Sequence, residues 1–282
     1  MKNIGFITNL DRDVNLETTK MLISHLMSLG HNIFIDHILS NILNNPKVGV
    51  FSQKTKVSIL DFIIVLGGDG TMLVAAELAA HTQTPLLGIN LGNIGYLTDT
   101  TRQDAISAIS KVLNDEYKIE KRMMLESTIG EKQILALNDI IIHRGKSTRL
   151  AEYHIFVNNE YMDTYRADGI ITSSPTGSTA YNLSAGGPIL KPDAKMLVIT
   201  PICPHTLSCR SVVVSHNDEI TIVLNNTQDI TISFDSLLIN SEVFADKNEI
   251  KLHIKSSKYT TNIINTRNLG FFEVLRQKLI KR

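Results

Sequence analysis

The chain has 282 residues, enough for two domains of ordinary size, and 43% of them are hydrophobic against 20% charged, the balance of a globular protein. Lysine plus arginine equals aspartate plus glutamate at 28 each, which removes any global electrostatic case for a nucleic-acid or anionic-membrane partner. No apolar run reaches the length of a membrane span, Met1 to Thr8 reads as a strand and not as a signal peptide, and Cys203 and Cys209 are too few to staple a chain this long, so the expectation is a cytoplasmic protein.

From the N-terminus strands and helices alternate. A strand at Asn3 to Thr8 leads to a helix from about Leu16 to Leu29, with Leu22, Ile23, Leu26 and Leu29 on one face and Gly30 as its stop. Ile33 to Ile35 is the next strand. Leu39 to Ser58 has no clear period and carries Asn44-Asn45-Pro46, so it reads as a loop with short structure. A strand at Asp61 to Leu66, a helix at Met72 to Ala80, a strand at Pro85 to Ile89 and a helix from Arg102 to about Leu113 follow. Such alternation implies a parallel sheet whose ligands bind at the C-terminal ends of its strands.

After Tyr117 the segments become short and β-rich: Leu125 to Ile129, Gln133 to Ile142, Tyr153 to Val157, Tyr161 to Tyr165 and Gly169 to Thr172. Met196 to Ile199, Val212 to Val214, Ile220 to Leu224, Ile230 to Phe234, Ile250 to Ile254 and Thr261 to Ile264 continue the series. The division expected is an α/β domain over residues 1–100, an all-β domain over 101–268, and a C-terminal helix over 269–282 that packs back on the first domain through Phe271, Val274, Leu275 and Leu279.

Gly67-Gly68-Asp69-Gly70-Thr71 sits at the turn from a buried strand into a helix. Glycines there let backbone N–H groups approach an anion, and the helix N-terminus adds about half a positive charge, which makes a phosphate site of Gly67, Gly68, Gly70 and Thr71. A carboxylate in such a turn repels phosphate, so Asp69 reads as chemistry and not as binding. The spacing is neither that of a P-loop nor that of a dinucleotide fingerprint, and the plainer alternative is a tight turn with a helix-capping Asp or Thr. Asn90, expected to contact the phosphates of ATP with the first turn, opens a second glycine loop, Leu91 to Thr98, which lies near the first if their strands are neighbours.

In the β-rich half, Asn138 and Asp139 interrupt an apolar strand, where an unpaired polar side chain costs a few kcal/mol unless a ligand satisfies it; a strand end or turn is the alternative. Arg166 to Gly169, then Ser173 to Asn182, combine small hydroxyl residues, glycines, Asp168 and Tyr181 at a strand exit, which suits an uncharged planar ligand such as a base or nicotinamide. His205 between Cys203 and Cys209 gives three candidate metal ligands where a structural zinc site wants four.

These stretches together resemble the NAD kinase family: Gly67 to Thr71, Leu91 to Thr98, Asn138-Asp139, Asp168-Gly169, Ser174 to Tyr181, and Thr200 to His205. The first is shared with diacylglycerol-type lipid kinases, whereas Thr-Gly-Ser-Thr-Ala-Tyr and Pro-Ile-Cys-Pro-His are far more specific. The resemblance implies a Rossmann-like α/β N-terminal domain, a β-sandwich-like C-terminal domain that binds NAD, an active site between them, and usually a homotetramer. It implies transfer of the γ-phosphate of ATP to the 2'-hydroxyl of the adenosine ribose of NAD, with a divalent metal, Mg2+, that the protein does not ligate directly. Asp69 would be the general base, Asn138 and Asp139 would hold the ribose, and Asp168, Ser178, Thr179, Ala180 and Tyr181 would contact the adenine and nicotinamide ends. Arg166 matches a position linked to strict use of ATP and NAD. Two residues depart from the pattern: Asp139 stands where Glu is commoner, and Ser236 replaces the glycine that usually follows Asp235, which leaves a ligand role for Asp235 in doubt. A lipid kinase and an NAD sensor without turnover are the alternatives; the first should show a basic amphipathic face, and none is evident.

Overall fold

The structure is a computed structural model and describes all residues except 44, 53–56, 93–94, 99, 146–149, 207, 226–229, 241–248, 268–269 and 281–282. Asn44, Asn93 and Ile94, used in the sequence reading, therefore lie outside the described residues, as do the last two of the C-terminal segment. The chain forms two compact units, Met1–Lys121 with Tyr259–Arg282, and Arg122–Lys258.

The first unit begins β1 (Asn3–Thr8), α1 (Glu17–Ser28), β2 (Asn32–Asp36), α2 (His37–Leu43) and β3 (Gly49–Phe51). It continues β4 (Phe62–Gly67), α3 (Asp69–Ala80), β5 (Leu86–Asn90), β6 (Thr100–Thr101) and α4 (Ala105–Leu113). The strands pair in parallel in the order β3-β2-β1-β4-β5, with β6 beside β5. Every residue of β4 is buried, as a central parallel strand covered on both faces requires. The unit extends past residue 100 because α4 contributes Ala105, Ile109 and Val112 to the same core as Ile4, Phe6 and Ile64. The chain returns to this unit in β18 (Ile250–Asn265), where Ile263 pairs in parallel with Leu86 and Ile264 joins the core, and ends in α6 (Phe271–Ile280). Lys278 of α6 holds its ammonium 5.7 Å from the centre of the Tyr96 ring.

The second unit is antiparallel. Its strands are β7 (Lys118–Ile129, from Arg122 onward), β8 (Lys132–Ala136), β9 (Asp139–His143), β10 (Ala151–Val157), β11 (Glu160–Ala167) and β12 (Gly169–Ser173). A 3-10 turn over Gly177–Thr179 and α5 (Tyr181–Ser184) separate these from β13 (Met196–Ile202), β14 (Val212–Ser215), β15 (Ile220–Leu224), β16 (Thr231–Phe234) and β17 (Leu237–Asn240). One sheet runs β14-β13-β12-β9-β16-β17; the other contains β11-β10-β15 and the 250–258 part of β18, together with the β7–β8 hairpin. Ile142, Ile170, Leu197 and Phe234 of the first sheet and Tyr153, Ile155, Ile222 and Leu252 of the second share one buried cluster, so the two sheets face each other across a common core.

Candidate active site

In the first unit the strand order reverses at β1, which has β2 on one side and β4 on the other. In an open α/β sheet the crevice outside the C-terminal ends of two such strands is where ligands bind. The segment after β1 and the Gly67–Thr71 turn after β4 both emerge there. Arg12 lies in the first of them: a side chain added at Gly68 or at Gly92 would meet its guanidinium at 3.1 or 3.2 Å. Arg12 is exposed and makes no ion pair among the described residues. Neither periodicity nor motif spacing marked it, because a single arginine in a polar loop carries no pattern.

Asp69 stands in the first turn of α3, yet its carboxylate turns to the second glycine loop. One oxygen accepts the Tyr96 N–H at 2.8 Å; the other accepts the Leu97 N–H at 3.0 Å and the Thr98 hydroxyl at 3.3 Å. A Cβ at Gly95 would fall 1.8 Å from that carboxylate, so only glycine lets the loop approach. Asn90, buried at the end of β5, donates to the Thr98 hydroxyl at 2.8 Å and accepts the Gly92 N–H at 2.7 Å. Asp69 and Asn90 thus fix the second loop from two sides. A carboxylate has about four acceptor sites, so three donors leave one for a further hydroxyl.

In the second unit the strand expected over Gln133 to Ile142 breaks into β8 and β9, and Leu137 and Asn138 form the break. Its cause is Asp235, in the β16–β17 turn, whose carboxylate accepts the N–H groups of Leu137, Asn138 and Asp139 at 2.7, 2.7 and 3.2 Å. The Ser174 hydroxyl donates to Leu137 O at 2.5 Å and its N–H to Asn138 O at 2.8 Å. A Cβ at Gly177 would stand 2.1 Å from the Asn138 carbonyl oxygen, so the 174–178 turn closes on this segment only because residue 177 is glycine. Asn138 is half-buried. Asp139 is 4% exposed, and its carboxyl is pushed up to about 7 by burial and by the like charge of Asp235.

The Ser178 hydroxyl is fully buried and bonded within the chain, to Pro175 O at 2.6 Å and to the backbone of Leu190. Thr179 donates to Thr176 O at 3.3 Å; Thr179 and Ala180 are half-buried and Tyr181 is exposed. These four follow the C-terminal end of β12, the end where Ser173 pairs with Asp139. Asp168 precedes the N-terminal end of the same strand, paired at 2.5 Å with Arg144, and Arg166 is paired at 2.6 Å with Glu152. The length of β12, roughly 17 Å at 3.4 Å per residue, separates the two groups. No single ring reaches both. His205 donates its N–H to Arg166 O, the two cysteines are free thiols, and among the described residues no group of three or more His, Cys, Asp or Glu side chains is placed to hold a metal ion.

Residues 4–117 match the ATP-NAD kinase N-terminal domain and residues 137–266 the ATP-NAD kinase C-terminal domain. The chain is 41% identical to the NAD kinase of Caldanaerobacter subterraneus subsp. tengcongensis over 100% of both chains, and 35% identical to that of Natranaerobius thermophilus over 99% of this chain and 98% of the other. Among solved structures it resembles yeast NADH kinase complexed with NADH, with a TM-score of 0.86 at 24% identity over 100% of this chain and 88% of that one. It also resembles an NAD kinase from Archaeoglobus fulgidus in complex with ATP, with a TM-score of 0.75 at 21% identity over 99% and 98%. At those identities the two structures bear on the fold alone. With both domain models matched in order and relatives that align end to end, the chain belongs to the NAD kinase family of enzymes.

Proposed function

We propose that this enzyme transfers the γ-phosphate of ATP to the 2'-hydroxyl of the adenosine ribose of NAD, giving NADP and ADP, with Asp69 as general base. The observation that carries the reading is the state of Asp69: three donors fix its orientation at the C-terminal end of β4, and one acceptor site is left. A ribose hydroxyl is a poor nucleophile near neutral pH, so the reaction needs a positioned proton acceptor beside the triphosphate. The hydroxyl proton passes to the carboxylate as the oxygen bonds the γ-phosphorus and the bridging oxygen leaves with ADP.

Gly67, Gly68, Gly70 and Thr71 hold the phosphates with the first-turn amides of α3, and Arg12 adds the positive charge that Asp69 would otherwise cancel. A divalent metal, Mg2+ on this reading, would be brought by the triphosphate without direct protein ligands, and would supply neutralisation of the charge developing on the phosphoryl oxygens. Asn138 and Asp139 hold the ribose; Asp168, Thr179, Ala180 and Tyr181 meet the ring systems of NAD; Ser178 acts by shaping the turn that carries them; and Arg166, held by Glu152, bears on the choice of ATP and NAD. The separation of Asp168 from the Thr179–Tyr181 turn along β12 supports a long ligand with a ring at each end. The enzyme is proposed to work in the cytoplasm as a homotetramer, or at least a homodimer, with no nucleic-acid or membrane partner; no described helix is long and apolar enough to cross a membrane.

The test is purified protein incubated with NAD, ATP and magnesium, with product phosphorylation located by 31P NMR. A 2'-phosphate on the adenosine ribose is expected. Turnover of diacylglycerol but not NAD would make it a lipid kinase, and NAD binding without product would make it a sensor.

A further inference from the structure

The chemistry assigned to Asn138 and Asp139 requires two consecutive side chains to point away from a β-strand at its very start. A strand does not do this by itself, since it directs neighbours to opposite faces and continues if its amides find a partner strand. Here the amides find something else. The N–H groups of Leu137, Asn138 and Asp139 all end on the Asp235 carboxylate, within 2.7 to 3.2 Å. Asp235 returns its own N–H to Asp139 O at 3.0 Å, and Ser174 takes the carbonyls of Leu137 and Asn138. The backbone from 137 to 139 is thus satisfied on both sides without using either side chain of the pair.

Asp235 itself adopts φ 49, a left-handed conformation that a non-glycine residue holds only when its surroundings compensate. Beside it Asp139 is 4% exposed, and burial together with the like charge of Asp235 pushes its carboxyl up to about 7.

We propose that Asp235 is a positioning residue for the reaction: its carboxylate gathers the three amides of residues 137–139 and so presents Asn138 and Asp139 to the substrate ribose. The proposal rests on the NAD kinase reading above and adds a residue that the motif pattern left in doubt. The Ser236 departure is harmless on this account, because the work is done by the side chain of 235 and not by the residue after it.

The same arrangement has an electrostatic consequence. Among the described residues Asp235 is the charged group acting on Asp139; from β12 the residue in register with it is Ser173, which is neutral. The negative charge of Asp235 favours the protonated Asp139, so that near neutral pH Asp139 can donate a hydrogen bond as well as accept one.

The test compares wild-type enzyme with Asp235→Asn. Asparagine is isosteric but offers one oxygen in place of two, so an amide is left facing an NH2 group. The expected result is a KM for NAD raised about tenfold with KM for ATP within about twofold. In addition, the pH dependence of the NAD KM should move to lower pH, since the charge that held the proton on Asp139 is gone. In the Asp139→Asn/Asp235→Asn double variant that inflection should be absent. An unchanged KM for NAD, an equal rise for both substrates, or an unmoved pH profile would each overturn the proposal. Should Asp235→Asn fail to fold, Asp235→Glu, which keeps the charge but displaces the carboxylate from the three amides, must still raise the KM for NAD, and an unchanged KM in it would equally overturn the proposal. NADP formation by the wild type is measured separately, so failure of the kinase reading and failure of the role of Asp235 are distinct results.

Discussion

Gly70 faces open space: a Cβ built there meets no atom within 4 Å. Nothing in the described chain demands glycine, and in a helical turn alanine is about 1 kcal/mol more favourable. If phosphate occupies the α3 N-terminus, the demand comes from the ligand. Gly70→Ala should therefore hold or raise the melting temperature while raising KM for ATP; calorimetry beside steady-state kinetics separates this from a mere turn, for which the KM would be unchanged. Arg12→Ala gives the complementary result, since loss of one charge-assisted contact costs about 1.5–3 kcal/mol and raises KM for ATP roughly tenfold or more, with little change in stability because the guanidinium is exposed. Asp139 offers a check by linkage. Its folded value, about 7, lies above the ordinary 3.8, so its contribution to stability is present below about pH 4 and is lost as pH rises toward 7. Urea titrations of Asp139→Asn should show a flatter stability profile than wild type between those limits; parallel profiles would mean that the carboxyl is not desolvated.

At the scale of elements, the loop that carries Arg12 is anchored by its neighbour. Asp13 is buried and accepts the N–H groups of Thr18 and Thr19 at 3.0 and 2.9 Å and the Thr19 hydroxyl at 2.6 Å, which satisfies the first turn of α1. Burial alone would push this carboxyl up, but the Thr19 and Thr18 hydrogen bonds outweigh it and the net shift is downward, so the stabilisation is present above about pH 4 and is lost as pH falls through the folded value. Asp13→Ala should cost about 1–2 kcal/mol in chemical denaturation at neutral pH, with the deficit shrinking in acid. Regular elements such as β4, α3 and α4 were legible because burial on one or two faces imposes a period on the residues. The glycine turns were legible because close approach leaves a compositional mark. What escaped was decided by distant partners. The break at Leu137 depends on Asp235, almost a hundred residues away in sequence, and no local pattern announces a carboxylate that will collect three amides. Ile250 to Ile254 and Thr261 to Ile264 read as two strands, yet they are one, β18, because the polar Lys255 to Thr260 between them remains extended. In Leu39 to Ser58 the short α2 and β3 fall below the length at which periodicity can be judged.

For the whole molecule, each unit carries a share of the proposed chemistry. On the proposed reading the parallel sheet would supply phosphate contacts and the base, and the antiparallel sandwich would supply the residues that choose the acceptor. The Ser174–Tyr181 turn was legible as a turn because small hydroxyl and glycine residues crowd the exit of β12, whereas the inward placing of Ser178 was not, since a buried serine and a ligand-facing one look alike in sequence. The claim on which the rest depends is that Asp69 takes the ribose proton. The direct measurement is Asp69→Asn, with turnover to NADP and NAD affinity determined on the same preparation. The expected result is a kcat lower by about a hundredfold to ten-thousandfold with NAD still bound at near wild-type affinity. A variant that turns over within a few-fold of wild type, or one that has lost NAD binding along with activity, would contradict it.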